Sequence, residues 1–549
     1  PLAFTLMIPW QLIDFSKSVF ATIFFFSNIY FWKTSGYFAP ESDQVPLLHT
    51  WSLSIEEQFY ILFPLFIFLL WRYLPKFIIP VFIMGILISL YLVDRYSQFQ
   101  PESVFYLLPT RIWELLCGAV LAKAESSYGR RSIPLSIQTI LNLACLATVI
   151  GCVFMFNSGT PHPGFLTILV VLGTMGLIWF MTPDGIVTNW LSLRPVVFTG
   201  LISYSLYLWH YPLISFLEIS RFDSGTANKI VVIMVSILLS VFSYQYVEQP
   251  IRKNRLNFKK FMTLCSSLVL VLLTTTGIVL KTEGGLGKYN PMDLEILSKS
   301  PNDLGIYVRS RFNERHNLDF ENNGRIKLLF IGDSYAQDLV NAIHETDMIS
   351  NFTISTYRIS GRCGNLFLHY DFSDQIAPRD KQLCANYQDY HNERIQDLMR
   401  QADTIWLASS WREWQVELLP KSIKNIQAIT DARIVVFGRK NFGSYTINDL
   451  INIPVADRTG NRLPVVDSHW QTNELMNDRI NDEHLVDLQM LLCDGLMTCP
   501  VFDENSYVIS YDSSHLTYTG ARYVGEKLIL HPLIRGLISD KQVNQRAPQ

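Results

Sequence analysis

The sequence predicts a helical polytopic membrane bundle followed by a soluble three-layer α/β domain with a parallel sheet. Of its 549 residues, 49% are hydrophobic and 17% are charged, a balance typical of membrane proteins. Long apolar runs fill the chain up to about residue 282, whereas the part after Lys281 is polar and rich in Asn, Asp and Arg. In that polar half, short apolar runs alternate with helix-like segments, which favours an α/β domain.

The first half contains a series of candidate membrane spans. A hydrocarbon core about 30 Å thick requires roughly 20 apolar residues for each crossing helix. By that measure we expect about nine spans. They lie near residues 12–31, 58–74, 77–93, 104–122, 134–156, 164–182, 196–217, 228–247 and 261–280. The predicted organisation is a membrane domain (1–260), a linking helix (261–282), a linker or extension (283–324) and a soluble domain (325–535).

Basic residues are unevenly distributed between the predicted spans. One set of alternate loops contains Arg72, Lys76, Lys123, Arg130, Arg131, Arg194, Arg252, Lys253, Arg255, Lys259 and Lys260. The other set contains Lys33, Arg95 and Arg221. Because cytoplasmic loops are rich in Lys and Arg, the first set is predicted to be cytoplasmic, and the last span then runs outward. The polar half is therefore expected to be periplasmic or extracellular.

Four of the eight cysteines lie in the polar half and the other four lie in predicted spans. Export favours oxidation, and four cysteines allow three pairings. We predict the two pairings that close short loops, Cys363–Cys384 and Cys493–Cys499. The alternative is four buried thiols. The net charge of −3 gives no reason to expect a nucleic-acid partner, and no metal site is predicted.

The polar half reads as strands alternating with helices. Strand-like segments lie at 325–331, 352–358, 403–409 and 432–438. Helix-like segments lie at 335–347, 387–402 and 413–428, and a long amphipathic stretch lies near 473–492. Such alternation predicts a parallel sheet between two layers of helices.

A serine motif follows the first of these strands. Gly332, Asp333 and Ser334 come directly after it, at the carboxyl end of the strand, where open α/β sheets place their sites. The backbone N–H of Ser334, at the start of the next helix, would stabilise an oxyanion. Serine needs a base, and Asp512 lies three residues before His515, a spacing that lets the carboxylate orient the imidazole. The sequence therefore predicts a catalytic triad; the alternative is a turn serine and a surface histidine.

This pattern resembles the SGNH (GDSL-like) hydrolase superfamily from about residue 325 to residue 530. The resemblance implies an oxyanion-hole Gly after the second strand, and Gly361 or Gly364 is expected to serve, beside the N–H of Ser334. It also implies an Asn after the third strand, but the segment there reads LASSWREW. Superfamily members attached to acyltransferase membrane domains often have a Trp in this segment, and in this respect Trp411 resembles that subgroup. The third oxyanion donor is left unassigned.

Charged residues within the membrane half mark either structural pairs or functional cavities, because their burial is costly. Arg111 and Glu114 lie three residues apart inside a predicted span. Glu248 opens a basic run, where the structural alternative is pairing with Arg252. The other candidates are His49, Trp51, Glu56, Glu57, Tyr60, Tyr207 and His210.

The segment 44–60 also has a structural interpretation. Ser54 and Glu57 have the spacing of a capping box at the outer end of a span. Trp51 and Tyr60 are typical of an aromatic belt at the membrane interface.

Six strings in order across residues 12–255 resemble the acyltransferase-3 family, in particular the O-antigen acetylase type. They are SNIYFW, GYF, PLLHTWSLSIEEQFY, RIWELLCGA, SYSLYLWHYP and SYQYVEQPIRK. The resemblance implies a multi-pass acyltransferase of the bacterial inner membrane that takes acetyl from cytoplasmic acetyl-CoA, with no bound cofactor. The acceptor it implies is a hydroxyl of a cell-envelope glycan, such as O-antigen, lipooligosaccharide or another polysaccharide, reached through the SGNH-like domain.

The family's Arg-x10-His signature in its first membrane helix and the Arg-rich stretch after its second are absent here. The chain begins with Pro1 at what should be the third helix, so about two spans are expected to be missing. Neither His49 nor His210 matches the signature, and this chain alone is not expected to catalyse the first acyl transfer.

Two other functions fit the same residues. The triad would hydrolyse esters if water were the acceptor, which describes a glycan O-acetylesterase. A non-enzymatic membrane carrier or glycan-binding scaffold would need no reactive serine.

Overall fold

The computed structural model describes residues 2–35, 42–97, 99–129, 133–157, 160, 162–220, 225–253, 257–384 and 389–544. It separates the chain into two compact units, Pro1–Gly285 and Leu286–Gln549. Several residues used above lie outside the described part. They are Arg130, Arg131, Arg221, Arg255 and the GYF string at 36–38.

The described part of the first unit is helical. Its α-helices are α1 (Leu2–Leu6), α2 (Pro9–Ile23), α3 (Ser27–Thr34), α4 (Thr50–Tyr73), α5 (Ile78–Tyr96), α6 (Pro101–Tyr106), α7 (Leu108–Tyr128), α8 (Leu135–Met155), α9 (Phe165–Phe180), α10 (Ile186–Leu191), α11 (Arg194–Ser220), α12 (Thr226–Ser243), α13 (Gln249–Arg252) and α14 (Phe258–Lys281). A π-helical turn, Tyr244–Glu248, joins α12 to α13.

Six helices within the described residues are long and apolar enough to cross a membrane. They are Thr50–Tyr73, Pro75–Tyr96, Pro101–Tyr128, Leu135–Met155, Thr226–Arg252 and Phe258–Lys281. Each coincides with a predicted span, and the chain is a multi-pass membrane protein. The predicted number of about nine spans is not confirmed.

The three remaining predicted spans differ for identifiable reasons. The stretch 12–31 is not one helix, because the backbone turns at Phe25, whose φ is 58°, and separates α2 from α3. The helix within 164–182 has only 16 residues. The stretch 196–217 lies in a continuous 27-residue helix, but its Ser, Tyr and His residues lower its hydropathy.

The predicted capping box at Ser54 is wrong. Helix α4 begins at Thr50, so Ser54 lies inside the helix, where its backbone N–H already has a helical partner. Its hydroxyl instead lies 2.7 Å from the hydroxyl of Ser27, at the start of α3.

The described part of the second unit combines helices with two sheets. Its helices are α15 (Leu294–Leu297), α16 (Pro301–Glu314), α17 (Ser334–His344), α18 (Pro378–Cys384), α19 (Glu393–Gln401), α20 (Glu413–Gln427), α21 (Ile447–Ile451), α22 (Asp467–Arg479), α23 (Leu488–Leu492), α24 (Tyr518–Leu530) and α25 (Pro532–Asn544). Its strands are β1 (Ile326–Gly332), β2 (Phe352–Arg358), β3 (Thr404–Ala408), β4 (Arg433–Phe437), β5 (Arg462–Pro464), β6 (Leu485–Val486) and β7 (Thr498–Pro500).

The main sheet is parallel, in the order β2-β1-β3-β4-β6, and β5 pairs with β7 in a small antiparallel sheet. Successive side chains of a strand point to opposite faces. In β1, Leu328 and Phe330 therefore join one core with α17 and α24, while Leu329 and Ile331 join another with α19 and α20. The parallel sheet predicted from the sequence is confirmed, and its carboxyl ends meet along one edge.

The stretch 473–492 is not one helix. Leu485 and Val486 form β6 and pair with β4, so the amphipathic stretch is divided between α22, β6 and α23. A two-residue strand is too short to leave an alternating pattern in the sequence.

The segment predicted as a linker or extension contains α15 and α16, which pack on the second unit. Val308 and Phe312 of α16 are fully buried. The carboxylate of Asp293 accepts hydrogen bonds of 2.7 and 2.9 Å from the guanidinium of Arg458, and both side chains are buried. This segment is therefore part of the folded second unit.

Candidate active site

Ser334 is the first residue of α17 and directly follows the turn at the end of β1. Gly332 is required in that turn by a close approach, since a Cβ there would lie 1.8 Å from the carbonyl oxygen of Ala408 in β3. The half-buried Ser334 is therefore held at the carboxyl edge of the sheet.

Asp333 fixes this turn with both carboxylate oxygens. Oδ1 accepts a 3.0 Å hydrogen bond from the N–H of Tyr335, which caps α17. Oδ2 accepts from the N–H and the hydroxyl of Ser410, at 2.9 and 2.8 Å. The nucleophile turn is thus tied to the chain that leaves β3.

Asp512 and His515 form a direct pair. Nδ1 of His515 lies 2.6 Å from Oδ2 of Asp512, and the backbone N–H of His515 donates to Oδ1 at 2.7 Å. The loop that carries them packs on α17, because the N–H of Leu516 lies 3.4 Å from Oδ1 of Asp338, one helical turn after Ser334. The fold therefore packs the loop of the Asp–His pair against the helix that Ser334 opens.

The electrostatics of the pair favour a carboxylate beside an imidazolium. Burial alone would lower the pKa of His515, but the hydrogen bond and negative charge of Asp512 outweigh it and raise this pKa above its usual value. Burial alone would likewise raise the pKa of Asp512, yet its hydrogen bonds and the imidazolium hold that pKa below its usual range.

A buried ion pair, Asp338–Lys440, lies next to the loop that carries His515. Nζ of Lys440 is 2.7 Å from Oδ2 of Asp338, and the two side chains are 1% and 0% exposed. Lys440 follows β4, and its ammonium group also lies 4.2 Å from the ring centre of Tyr335. This pair could not be predicted from the sequence, because its members are 102 residues apart. The only local signal was an Asp four residues after the serine.

Of the two oxyanion candidates, Gly361 lies against the nucleophile turn. A Cβ on Gly361 would lie 2.5 Å from Oδ2 of Asp333 and 2.8 Å from the hydroxyl of Ser410. Gly364 has φ 87°, and its Cβ would instead meet the rings of Phe372 and Trp414. The loop after β2 therefore presents Gly361, and not Gly364, to the nucleophile turn.

The segment after β3 does not carry its Trp into the site. Trp411 is fully buried, and its Nε1–H donates to the carbonyl of Phe437 at 2.9 Å. Gln415 holds the Gly361 loop, since its side-chain amide donates to the Gly361 carbonyl at 2.6 Å. Ser410 and Gln415 were missed because they follow no recognised spacing.

Both expected disulfides are present. The S–S distances are 2.09 Å for Cys363–Cys384 and 2.03 Å for Cys493–Cys499. The first disulfide anchors the segment that carries Gly361. No group of three or more metal-ligating side chains occurs in the described part of the chain.

In the first unit, His49 belongs to a buried aromatic cluster. Its ring centre lies 5.2 Å from that of Tyr207, 6.0 Å from that of His210 and 5.2 Å from that of Tyr211. The Tyr207 hydroxyl donates to the carbonyl of His49 and lies 2.6 Å from the hydroxyl of Ser52. Sequence candidates from α4 and α11 are thus in contact.

A second cluster surrounds Arg111, which is 4% exposed. Its guanidinium bonds Glu114 at 3.0 Å and Nε2 of His162 at 2.9 Å, and it lies 5.1 Å from the ring centre of Trp51. His162 was missed, because a single His in a polar loop carries no signal.

The remaining candidates are more dispersed. Glu248 pairs with Arg252 at 2.8 Å, the structural alternative given above. Glu56 and Glu57 lie half-buried on α4, and Tyr60 is exposed.

Two family models match the chain. Residues 10–248 match the model described as an acyltransferase domain, and residues 309–529 match the model described as an SGNH domain fused to AT3 domains. No solved structure matches significantly.

Curated relatives agree. An O-acetyltransferase OatA of Staphylococcus aureus is 32% identical over 315 residues, covering 52% of this chain and 51% of the relative. A peptidoglycan O-acetyltransferase OatA of Listeria monocytogenes is 30% identical over 251 residues, covering 43% of this chain and 40% of the relative. The chain thus spans about half the length of these relatives. The chain therefore combines an acyltransferase-3 domain with a C-terminal SGNH domain of the kind fused to such domains.

Proposed function

We propose that the chain is a membrane O-acetyltransferase that moves an acetyl group to a hydroxyl of a cell-envelope glycan, with Ser334 as the acetyl carrier. The observation that supports this most strongly is the Asp512–His515 pair at 2.6 Å, packed against the helix that Ser334 opens. The names of the similar proteins, O-acetyltransferase and peptidoglycan O-acetyltransferase, favour cell-wall glycan as the acceptor class.

The proposed reaction has two balanced steps. Oγ of Ser334 attacks the acetyl carbonyl, His515 takes the hydroxyl proton and returns it to the leaving group, and acetyl-serine forms. A sugar hydroxyl then attacks that ester, His515 takes its proton and gives it back to Ser334. Asp512 holds the imidazole and stabilises its charge, while the N–H groups of Ser334 and Gly361 are the proposed oxyanion donors.

We propose cytoplasmic acetyl-CoA as the ultimate donor and the outer side of a bacterial inner membrane as the place of transfer. The orientation is supported by the described basic residues of one set of loops, Arg72, Lys76, Lys123 and Arg194 among them. The disulfides of the second unit also favour an oxidising compartment.

The test uses the purified full chain in detergent, with p-nitrophenyl acetate as donor and an N-acetylglucosamine pentamer as acceptor. We expect ester-linked acetate on the pentamer by mass spectrometry. Ser334→Ala should lower that rate by about 10³-fold or more, because the triad acts as a unit. Ser350→Ala, a change at an exposed serine elsewhere in the unit, is the control and should leave the rate unchanged.

Other outcomes identify the other functions. Release of free acetate at the same rate with and without the pentamer would show an esterase. A scaffold would show no turnover and no labelling of Ser334 by a serine-directed phosphonate.

A further inference from the structure

An open cleft of about 410 Å³ lies in the second unit beside the Gly361 loop. Its floor is apolar and buried, and includes Ile359, Leu366 and Leu368. Its rim carries His369, Tyr370, Asp371, Phe372, Asp389 and His391. All lie in the single segment between β2 and β3, and Cys363–Cys384 closes that segment on itself.

Hydrogen bonds join the walls of the cleft to the carboxyl edge of the sheet at two places. The N–H of Ile359, on its floor, donates to the carbonyl of Gly332 at 3.1 Å. The hydroxyl of Tyr390, on its wall, donates to Oδ1 of Asn365 at 2.7 Å. Nδ2 of Asn365 in turn lies 3.4 Å from the hydroxyl of Ser409, the residue before the Ser410 that binds Asp333.

The chemistry of the lining selects a ligand class. Two carboxylates and two histidines stand at the rim, and among the described residues that line the cleft there is no Lys or Arg; Lys421 lies on the ring of Tyr370 from outside this lining. Phosphate-bearing ligands would therefore meet the like charge of two rim carboxylates. A lipid chain would leave the rim polar groups unpaired. A hydroxyl-rich, uncharged ring donates hydrogen bonds to carboxylates and places its C–H face on Tyr370 or Phe372.

We propose that this cleft binds an uncharged sugar ring of the acceptor glycan and directs a neighbouring hydroxyl to Ser334. This inference rests on the proposed function and adds to it the place and the class of the acceptor. Tyr370 supplies the stacking surface, and Asp389 accepts hydrogen bonds from sugar hydroxyls. The disulfide and the Lys421 ammonium group, 4.5 Å from the Tyr370 ring centre, hold the rim in place before the glycan binds.

The test compares Tyr370→Ala, Asp389→Asn and their combination in the purified full chain. We expect the KM for the N-acetylglucosamine pentamer to rise about tenfold for each single change, the usual effect of one good polar or stacking contact. Hydrolysis of p-nitrophenyl acetate without acceptor should stay within about twofold, since neither side chain touches the triad. Tyr518→Ala is the matched control, because Tyr370 and Tyr518 are 44% and 40% exposed.

A second measurement separates this proposal from the proposed function. Binding of the pentamer to the Ser334→Ala chain, followed by saturation-transfer NMR, needs no turnover. We expect the signal to be lost in the combined Tyr370→Ala, Asp389→Asn background. An unchanged signal, or an unchanged KM in the combined variant, would overturn the cleft as the acceptor site. Normal binding without any acetyl transfer by the unsubstituted chain would contradict the proposed function alone.

Discussion

The Asp512 carboxylate orients the imidazole of His515 and also affects the pH at which that imidazole becomes neutral. A general base must be unprotonated, so a raised His515 pKa means that ester hydrolysis increases as pH rises through a value above about 6.5. In Asp512→Asn this limb should move to lower pH, because the charge that favours the imidazolium is removed. The rate should also fall by about 10⁴-fold, since the tautomer is no longer held. Rates of p-nitrophenyl acetate hydrolysis from pH 5 to pH 9 measure both effects, and an unmoved limb would contradict the assignment of the base.

The contribution of the buried Asp338–Lys440 ion pair to stability and to the His515 pKa can be tested by substitution. Asp338→Asn leaves the Lys440 ammonium group buried without its counter-ion, so the free energy of unfolding should fall by about 3–5 kcal/mol. The negative charge of Asp338 also raises the pKa of His515. In Asp338→Asn, the increase of ester hydrolysis with pH should therefore occur at lower pH. Urea unfolding of the fragment 286–549 measures the first effect. The double variant Asp338→Leu, Lys440→Met should lose less stability than Asp338→Asn, and an equal or greater loss would exclude the unpaired charge as the cause.

The residues that could be predicted from the sequence are those with a local spacing. Ser334 follows a buried strand, and Asp512 precedes His515 by three residues, so each half of the triad carries its own signal. Lys440, Asn365 and the other partners act through contacts between distant segments, for which a single sequence has no pattern.

At the scale of single elements, the two glycines of the loop after β2 have different surroundings. In Gly361→Ala, the added methyl group would lie 2.5 Å from Oδ2 of Asp333, so the loop must move away from the nucleophile turn. Ester hydrolysis should fall by about 10²- to 10³-fold, as for the loss of an oxyanion donor. Gly364→Ala should cost stability with a smaller effect on rate, because it strains a positive φ and presses on Phe372. Gly460→Ala, at φ 83° with open space around it, is the control for strain alone. Equal rates in Gly361→Ala and Gly460→Ala would exclude the oxyanion role.

Elements were predictable where a buried run was long and clearly bounded. The strands β1 to β4 lie within a residue or two of the predicted segments, because each is an apolar run between polar turns. The predictions were wrong where a short irregularity interrupts a good pattern. Phe25 breaks an apolar stretch in the first unit, and the two residues of β6 divide an amphipathic one.

At the scale of the whole molecule, the stability of the second unit depends on the segment with which it begins. The fragment 286–549 retains α16 and Asp293, whereas a fragment that begins at residue 325 loses them. The shorter fragment should be less stable by at least ~5 kcal/mol, because it exposes the surfaces that Leu304, Val308 and Phe312 cover and leaves the buried Arg458 unpaired. Thermal unfolding of both fragments measures the difference, and equal midpoints would show that α16 does not stabilise the unit.

The segment between β2 and β3 also bears on how glycan preference can differ between homologues. It runs from β2 to β3, the two strands that flank β1, is closed by Cys363–Cys384, and supplies the described residues that line the cleft. The nucleophile turn and the Asp–His pair belong to other parts of the chain. Binding residues carried on a loop above a rigid scaffold can vary without loss of the scaffold. If the cleft holds the acceptor, exchange of this segment between homologues, with Gly361 kept, would transfer glycan preference while the acyl chemistry stayed the same.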